Sequence, residues 1–233
     1  MDKKQISEMK KAAAVFAVEF IQSGMSVGLG TGSTAKYATE EIAQKLEYGE
    51  LSDLFCVPSS EETKRLALSL NIKVYGFDTV KHLDINIDGA DEVDINGNLI
   101  KGGGGALLRE KILAQNSMKN IVIVDETKIS EKLGEKWHLP IEVLPFCWQV
   151  EADYIEKLGA DVNIRTGKDK EPLLTDQDNY ILDCNFGIIT HPQELSRQLE
   201  HRAGIVENGL FIDTTNDIVI GKPGGVDHKQ IKR

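Results

Sequence analysis

The fold of this chain is decided by the stretch DGADEVDINGNLIKGGGGALLRE, residues 88–110. The segment before it, residues 83–87, alternates apolar and polar side chains, which predicts a strand that delivers Asp88 to its carboxyl end. In open α/β sheets, ligands bind at that edge. Four consecutive glycines lose much conformational entropy on folding, so they indicate backbone that takes a positive φ or lies very close to another group. Carboxylates, a lysine and bare backbone together suit a small polyhydroxylated anion.

Each residue of this stretch also has an ordinary interpretation when it is taken alone. Asp88-Gly89 is a common turn, and Lys101 could be a loop lysine. Glu110 lies between Arg109 and Lys111, where a glutamate is usually a solvated helix residue. The clustering of these residues after a buried strand is what favours a functional site.

A second glycine-rich loop, GTGST at residues 30–34, follows a short apolar strand at residues 25–29 and precedes a helix. The glycines allow backbone N–H groups to approach an anion at the positive end of that helix, and Thr31, Ser33 and Thr34 add hydroxyl donors. The loop lacks the third glycine of the dinucleotide fingerprint, and no lysine follows as a P-loop requires. The pattern therefore favours phosphate over a dinucleotide.

The remaining pattern predicts further strands at residues 54–57, 72–75 and 120–124, the last a nearly continuous apolar run typical of a parallel sheet covered on both faces. A capping box of Ser59 and Glu62 predicts the start of a helix. Lys128 follows the 120–124 strand, so we expect it at the same sheet edge as Asp88. A Gly224-Gly225 turn and a basic tail end the chain.

The organisation predicted is an α/β fold with two domains. Residues 1–133 and 206–233 form a Rossmann-like domain with a mostly parallel sheet. Residues 134–205 show the order β-α-β-β-α-β and form a smaller inserted α+β domain of the ferredoxin-like kind.

Composition excludes several classes of function. A formal charge of -10 over 233 residues argues against nucleic acid as a partner. No apolar run approaches the roughly 20 residues of a membrane helix, and no signal peptide is evident, so we expect a soluble cytoplasmic protein. The three cysteines are far apart and the five histidines are scattered, so neither a disulfide framework, a metal site nor a cofactor is predicted.

Four motifs in this order resemble ribose-5-phosphate isomerase type A: GLGTGST at residues 28–34, DGADE at 88–92, KGGGGALLREK at 101–111 and DETK at 125–128. The resemblance covers essentially the whole chain. It implies a metal-independent aldose-ketose isomerase of the pentose phosphate pathway, a homodimer or a dimer of dimers, that interconverts D-ribose 5-phosphate and D-ribulose 5-phosphate through an enediolate. It also implies a Rossmann-like domain with a smaller α+β domain.

The same resemblance implies the roles of individual residues. Glu110 would be the base that moves a proton between C1 and C2, and Asp88 would assist ring opening. Asp91 and Lys101 would hold hydroxyl groups and the developing enediolate. The implied substrate-binding residues are Thr31, Gly32, Ser33, Thr34, Asp88, Gly89, Ala90, Asp91, Lys101, Gly102, Gly103, Gly104 and Lys128.

Two other classes of protein use similar features. A sugar-phosphate sensor of a transcription regulator can share this fold, but it normally carries a helix-turn-helix, for which there is no room before the first helix. A coenzyme A transferase also combines a glutamate with glycine-rich loops, and it would use the glutamate as a covalent nucleophile. Phosphosugar binding without turnover would favour the sensor, and a trapped thioester would favour the transferase.

Overall fold

The computed structural model describes residues 1–231, and these form two compact units. The first unit comprises Met1–Ala90, Arg109–Lys128 and the chain from Thr214 onward, and the second comprises Asp91–Leu108 and Ile129–Asp213. The domain boundaries given above from the sequence stay a prediction.

The helices within the described residues are α1 (Lys3–Val18), α2 (Ser33–Glu47), α3 (Glu61–Ser69), α4 (Leu107–Gln115), α5 (Trp148–Lys157) and α6 (Pro192–Glu200), with short 3-10 helices at Glu126–Lys128 and Pro145–Cys147. The strands are β1 (Ser26–Leu29), β2 (Phe55–Pro58), β3 (Leu83–Asp88), β4 (Glu92–Val93), β5 (Leu99–Ile100), β6 (Ser117–Asp125), β7 (Leu139–Val143), β8 (Asp161–Ile164), β9 (Tyr180–Asn185), β10 (Ile205–Asn208), β11 (Leu210–Phe211), β12 (Asp217–Lys222) and β13 (Gly225–Gln230).

The first unit is built on a six-stranded sheet in the order β13-β12-β6-β3-β1-β2. All neighbours are parallel except the β12–β13 hairpin. The middle strand β6 is buried over its last six residues because β3 and β12 flank it and helices cover the sheet. Its run of Ile and Val is therefore the buried parallel strand that the sequence predicts.

Helix α1 covers one side of this sheet, where it packs against β6, β12 and α2. An Asp2–Gln5 capping box starts the helix, because each side-chain oxygen accepts the backbone N–H of the other residue. Its small buried residues, including Ala13, Ala14 and Ala17, share a core with Ile121 of β6. Small side chains let the helix lie close to strands β6 and β12.

The second unit contains a four-stranded antiparallel sheet in the order β10-β7-β9-β8, covered by α5 and α6. With its two helices this is the predicted β-α-β-β-α-β unit, and the order places the fourth strand beside the first. A second, three-stranded sheet in the order β11-β5-β4 carries the segment between Asp91 and Lys101. The α/β fold with a mostly parallel sheet and a ferredoxin-like unit is thus confirmed.

Three local predictions were wrong. The segment 72–75 forms one isolated bridge, Cys56 to Val74, instead of a strand. The helix start lies one residue later than expected, because Ser60 and not Ser59 caps α3 by accepting the N–H of Thr63. The expected tail forms edge strand β13 up to Gln230, while its last two residues lie outside the described part of the chain.

Among residues 1–231, no helix combines the length and the apolar character that crossing a membrane requires.

Candidate active site

Asp88 ends strand β3, and its carboxyl group accepts hydrogen bonds from two backbone N–H groups of the first unit. It is 3% exposed, and its Oδ1 accepts the backbone N–H of Thr31 at 3.0 Å and that of Gly89 at 2.7 Å. Two N–H donors on one oxygen fix the orientation of the carboxyl group. Thr31 and Asp88, which are 57 residues apart in sequence, therefore meet as the strand pattern predicts.

Gly30 makes this contact possible because it lies directly against Asp88. A Cβ atom at Gly30 would be 2.2 Å from Asp88 Oδ1 and 2.6 Å from Asp88 Cα. The backbone of Gly30 also donates to the carbonyl of Ile87 at 3.0 Å, which continues the pairing of β1 with β3. The glycine is thus required for close approach of the loop to the carboxylate.

The loop then turns into helix α2 through Gly32, whose φ of 99° is in the left-handed region. Gly32 offers no side-chain cap, so the first N–H groups of α2 point to an uncapped end. Ser33 lies in the first turn, and its Oγ accepts from Nζ of Lys10 at 2.9 Å. A helix N-terminus, a hydroxyl group and an ammonium group are the kinds of group that bind anions in proteins. Lys10 could not be predicted as a neighbour of this loop, because nothing in the α1 pattern indicates which lysine faces it.

Thr34 and Gly89 also come together, because a Cβ placed on Gly89 would lie 3.9 Å from Thr34 Cβ. Thr34 is buried, while Gly89 and the next residue, Ala90, are half-buried. The residue that follows Asp88 therefore lies beside the first turn of α2.

Glu110 lies in the first turn of α4 and is 5% exposed, so it is not a solvated helix residue. A carboxylate in this position is stabilised by the positive end of the helix. The preceding residue, Arg109, forms an ion pair with Glu61 of α3 at 2.9 Å, and this guanidinium holds the pKa of Glu61 below its usual range. The ion pair connects the start of α4 to α3.

Lys128 ends the short 3-10 helix that follows β6. Since β6 and β3 are adjacent parallel strands, Lys128 lies beyond the same sheet edge as Asp88, as predicted. The turn is fixed by the buried Asp125, whose Oδ1 accepts the backbone N–H of Thr127 at 3.1 Å and also its hydroxyl. Lys128 is half-buried at this edge.

In the second unit, Asp91 and the glycine run are joined directly. Asp91 Oδ2 accepts the N–H of Gly103 at 2.7 Å, and a Cβ at Gly103 would lie 2.7 Å from Asp91 Oδ1. Gly102 and Gly105 have φ values of 104° and 82°, which explains why glycine is favoured at both. Gly104 is exposed at the tip of the turn.

Lys101 is buried at the start of the glycine run. Its N–H donates to the carbonyl of Gly209 at 3.0 Å, and its Nζ lies 5.6 Å from the centre of the Phe211 ring. A buried ammonium group over an aromatic face is held by the cation–π interaction. Lys101 is therefore not an ordinary loop lysine.

Arg165 of the second unit was not predicted from the sequence. Its Nη1 donates to the carbonyl oxygens of Gly102 at 2.8 Å and Gly103 at 3.1 Å, while its Nε donates to Asp183 Oδ2 at 2.9 Å. The planar guanidinium can satisfy all three acceptors at once, which lysine cannot. Arg165 thus holds the glycine run in one conformation.

Comparison with known proteins gives one consistent result. The family model of ribose 5-phosphate isomerase A (phosphoriboisomerase A) matches residues 55–225. The chain is 48% identical over 218 residues to ribose-5-phosphate isomerase A of Desulfatibacillum aliphaticivorans, which covers 94% of this chain and 95% of the relative. It is 45% identical to the Thermococcus kodakarensis protein of the same name, over 95% of this chain and 97% of the relative.

Solved structures agree with this result. Ribose 5-phosphate isomerase from Plasmodium falciparum superposes with a TM-score of 0.94 and 37% identity, over 97% of this chain and 100% of that one. A D-ribose-5-phosphate isomerase solved in complex with phospho-erythronic acid superposes with a TM-score of 0.95 and 39% identity, over 99% and 100% of the two chains.

Proposed function

This chain belongs to the ribose 5-phosphate isomerase A family and interconverts ribose 5-phosphate and ribulose 5-phosphate, and from this premise we propose that Glu110 is the base of the reaction. An aldose-ketose isomerase needs one base that reaches two adjacent carbons. The observation that carries the proposal is the burial of the Glu110 carboxylate in the first turn of α4. A carboxylate held away from water keeps the proton it removes close to the substrate.

The proton transfer proceeds in two balanced steps. The Glu110 carboxylate takes the proton from C2 of the open-chain aldose, the electron pair of that C–H bond forms the C1–C2 double bond, and the electron pair of the C1 carbonyl moves onto O1 as the enediolate oxygen. The proton of the C2 hydroxyl then passes to O1, the carbonyl forms at C2, and the electron pair of the C1–C2 double bond takes the proton back from Glu110 at C1. The negative charge that develops on O1 and O2 requires nearby donors, for which we propose Lys101 and the N–H groups of Gly102 and Gly104.

We propose that Asp88 exchanges protons with the ring oxygen and the C1 hydroxyl when the furanose ring opens. Its support is the fixed orientation of the carboxyl group, since two N–H groups hold Oδ1. Asp91 would bind substrate hydroxyl groups, because it is an acceptor already tied to the glycine run. Lys128 would add positive charge beside the substrate at the sheet edge.

For the phosphate group we propose the start of α2, where Gly32, Ser33, Thr34 and Lys10 supply N–H, hydroxyl and ammonium donors. A dianion is stabilised by a helix N-terminus and a nearby cation. The phospho-erythronic acid bound to the related isomerase also carries a phosphate group. Thr31 would contribute to this loop through its backbone.

The experiment is turnover of ribose 5-phosphate to ribulose 5-phosphate by purified protein with a chelator present, beside Glu110→Gln. We expect the parent to keep its kcat in the chelator, and the variant to lose about 10³-fold in kcat with KM nearly unchanged, because an amide accepts no proton. Glu62→Gln, in the first turn of α3, is the matched control and should behave like the parent. A Glu110→Gln kcat within tenfold of the parent would refute the role, and loss of parental turnover in chelator would refute metal-free catalysis.

We further propose that the chain acts as a cytoplasmic homodimer. An exposed apolar surface in the second unit supports self-association, since Phe146 is 95% exposed with Leu144 and Val150 nearby in sequence. Free thiols at Cys56 and Cys184 suit a reducing compartment. Light scattering should give the mass of a dimer, and Phe146→Ser should shift it toward monomer. A monomeric parent would contradict the proposal.

A further inference from the structure

Three buried hydroxyl groups surround the hydroxyl of Thr31 beneath the loop that contacts Asp88. Thr31 Oγ1 lies 2.7 Å from Ser59 Oγ, 2.8 Å from Ser60 Oγ and 3.1 Å from Thr63 Oγ1. Ser60 and Thr63 are also 3.1 Å apart, and Thr63 Oγ1 lies 2.9 Å from the carbonyl oxygen of Gly30. Ser59 and Ser60 lie in the β2–α3 connection and Thr63 lies in the first turn of α3, and none of these three is a predicted site residue.

The direction of every hydrogen bond in this cluster follows from one carbonyl group. The carbonyl of Gly30 can only accept, so the Thr63 hydroxyl must donate to it. Each hydroxyl has a single proton, so Ser60 must donate to Thr63, and Thr31 must then donate to Ser60. Ser59 in turn donates to Thr31. The result is a one-way chain, from Ser59 through Thr31, Ser60 and Thr63 to Gly30.

This chain determines what Thr31 can offer to a ligand. Its hydroxyl proton is used by Ser60, and its oxygen accepts from Ser59 and faces Thr63. Thr31 therefore acts outward through its backbone N–H, which donates to Asp88 Oδ1 at 3.0 Å. The chain holds that N–H from two sides, through the Thr31 side chain and through the carbonyl of Gly30.

We propose that Ser60 and Thr63 are positioning residues of the isomerase, because they fix the Gly30–Thr31 backbone that orients the Asp88 carboxyl group. The inference rests on the proposed role of Asp88 in ring opening. The N–H of Thr63 also donates to Ser60 Oγ at 3.0 Å, so the cluster is anchored to the start of α3. A buried network in which every proton has an acceptor specifies one geometry.

The test compares Thr63→Val, which keeps the shape of the side chain but removes the donor to Gly30, with Thr63→Ser, which keeps the hydroxyl. We expect Thr63→Val to lower kcat about tenfold with KM within about twofold of the parent, and Thr63→Ser to restore kcat. Thr39→Val is the matched control, since Thr39 is also buried and its hydroxyl donates to the carbonyl of Ala35 at 3.2 Å, which is not part of the hydrogen-bond chain from Ser59 to Gly30. Its kcat should equal that of the parent.

Repeating the test in the Asp88→Asn variant distinguishes the positioning proposal from the proposed role of Asp88. Asp88→Asn alone should lower kcat, and Thr63→Val added to it should lower kcat by less than about twofold more, because its effect passes through Asp88. An unchanged kcat in Thr63→Val while Asp88→Asn is impaired would overturn the positioning proposal alone. The same fractional loss in both backgrounds would do so as well. A parental kcat in Asp88→Asn would overturn the role of Asp88 and the positioning proposal with it.

Should Thr63→Val fail to fold, Ser59→Ala provides the readout, because it removes only the first donor of the chain. We expect about a threefold lower kcat at unchanged KM in the parent background and no further loss in Asp88→Asn. A parental kcat in Ser59→Ala would then overturn the proposal.

Discussion

Gly30→Ala is expected to damage catalysis through a displacement that can be calculated from the structure. The new Cβ would lie 2.2 Å from Asp88 Oδ1, 2.4 Å from its Cγ and 2.6 Å from its Cα, whereas ordinary Cβ contacts begin at 3.4 Å. The side chain of Asp88 could rotate, but its Cα cannot move away without strand β3. The two strands must therefore separate locally by about 0.8 Å, because the close-packed interior offers no space to absorb the methyl group.

A displacement of this size at a catalytic carboxylate has a large effect on rate. Misplacement by about 1 Å can cost about 10²-fold in rate, and we expect a loss of that order in kcat. Overpacking of a buried contact also costs about 1–3 kcal/mol of the free energy of unfolding. The kinetic loss should therefore exceed what the fraction of unfolded protein explains.

The assay measures kcat and KM for ribose 5-phosphate together with denaturant unfolding of the same preparations. Gly225→Ala is the matched control, because no atom lies within 4 Å of the added Cβ and the residue has no left-handed φ. The control should keep parental activity and stability. If Gly30→Ala kept parental kcat and parental stability, the close approach of Gly30 to Asp88 would not be needed, and the reasoning would be wrong.

Three further outcomes are expected. Burial raises the pKa of the Glu142 carboxyl group above its value in the unfolded chain, so protonated Glu142 stabilises the fold at low pH and this contribution is lost as the pH rises through the folded-state pKa. Glu142→Gln, which stays neutral at every pH, should therefore raise the melting temperature at pH 8 and raise it less near pH 4. Ellman's reagent should modify Cys147 rapidly in the native protein and all three thiols after denaturation. The reason is that burial raises the pKa of the Cys56 thiol to about 12 and that of the Cys184 thiol still further. Two or more rapidly reacting thiols in the native protein would contradict this prediction. Arg165→Lys should raise KM about tenfold and lower the melting temperature by a few degrees, because a lysine cannot bind the Asp183 carboxylate and both glycine carbonyls together. An unchanged KM would show that the glycine run keeps its conformation without Arg165.

The main strands and the polar ends of the sheet could be predicted from the sequence because they depend on local patterns. The alternation before Asp88 and the apolar run at residues 120–124 each report burial directly. The strand expected at residues 72–75 shows the limit of this reasoning. A segment of four residues, of which Ile72 and Val74 are apolar, has the same pattern whether it forms a ladder or, as here, a single bridge at Val74.

The contacts that hold the site residues could not be predicted, because they join side chains distant in sequence. Thr63 donates to Gly30 across 33 residues, and Arg165 donates to Gly102 across 63. Neither residue belongs to a motif, and the sequence does not distinguish hydroxyl groups that cap α3 from hydroxyl groups that bind a distant loop. Strand β13 was missed for a related reason: its polar residues pair on an exposed edge, where no apolar periodicity is required.

The position of β12 in the sheet has a consequence for biosynthesis. Strand β6 ends at Asp125, and its partner β12 begins only at Asp217, after the long segment Ile129–Asp213 of the second unit. At about 5–20 residues per second, a ribosome leaves one edge of the apolar β6 without its partner for roughly ten seconds. During that interval the nascent chain presents an unpaired hydrophobic strand to its neighbours. Closure by β12, followed by the polar strand β13, then ends the period in which the protein is most exposed to aggregation and most dependent on chaperones.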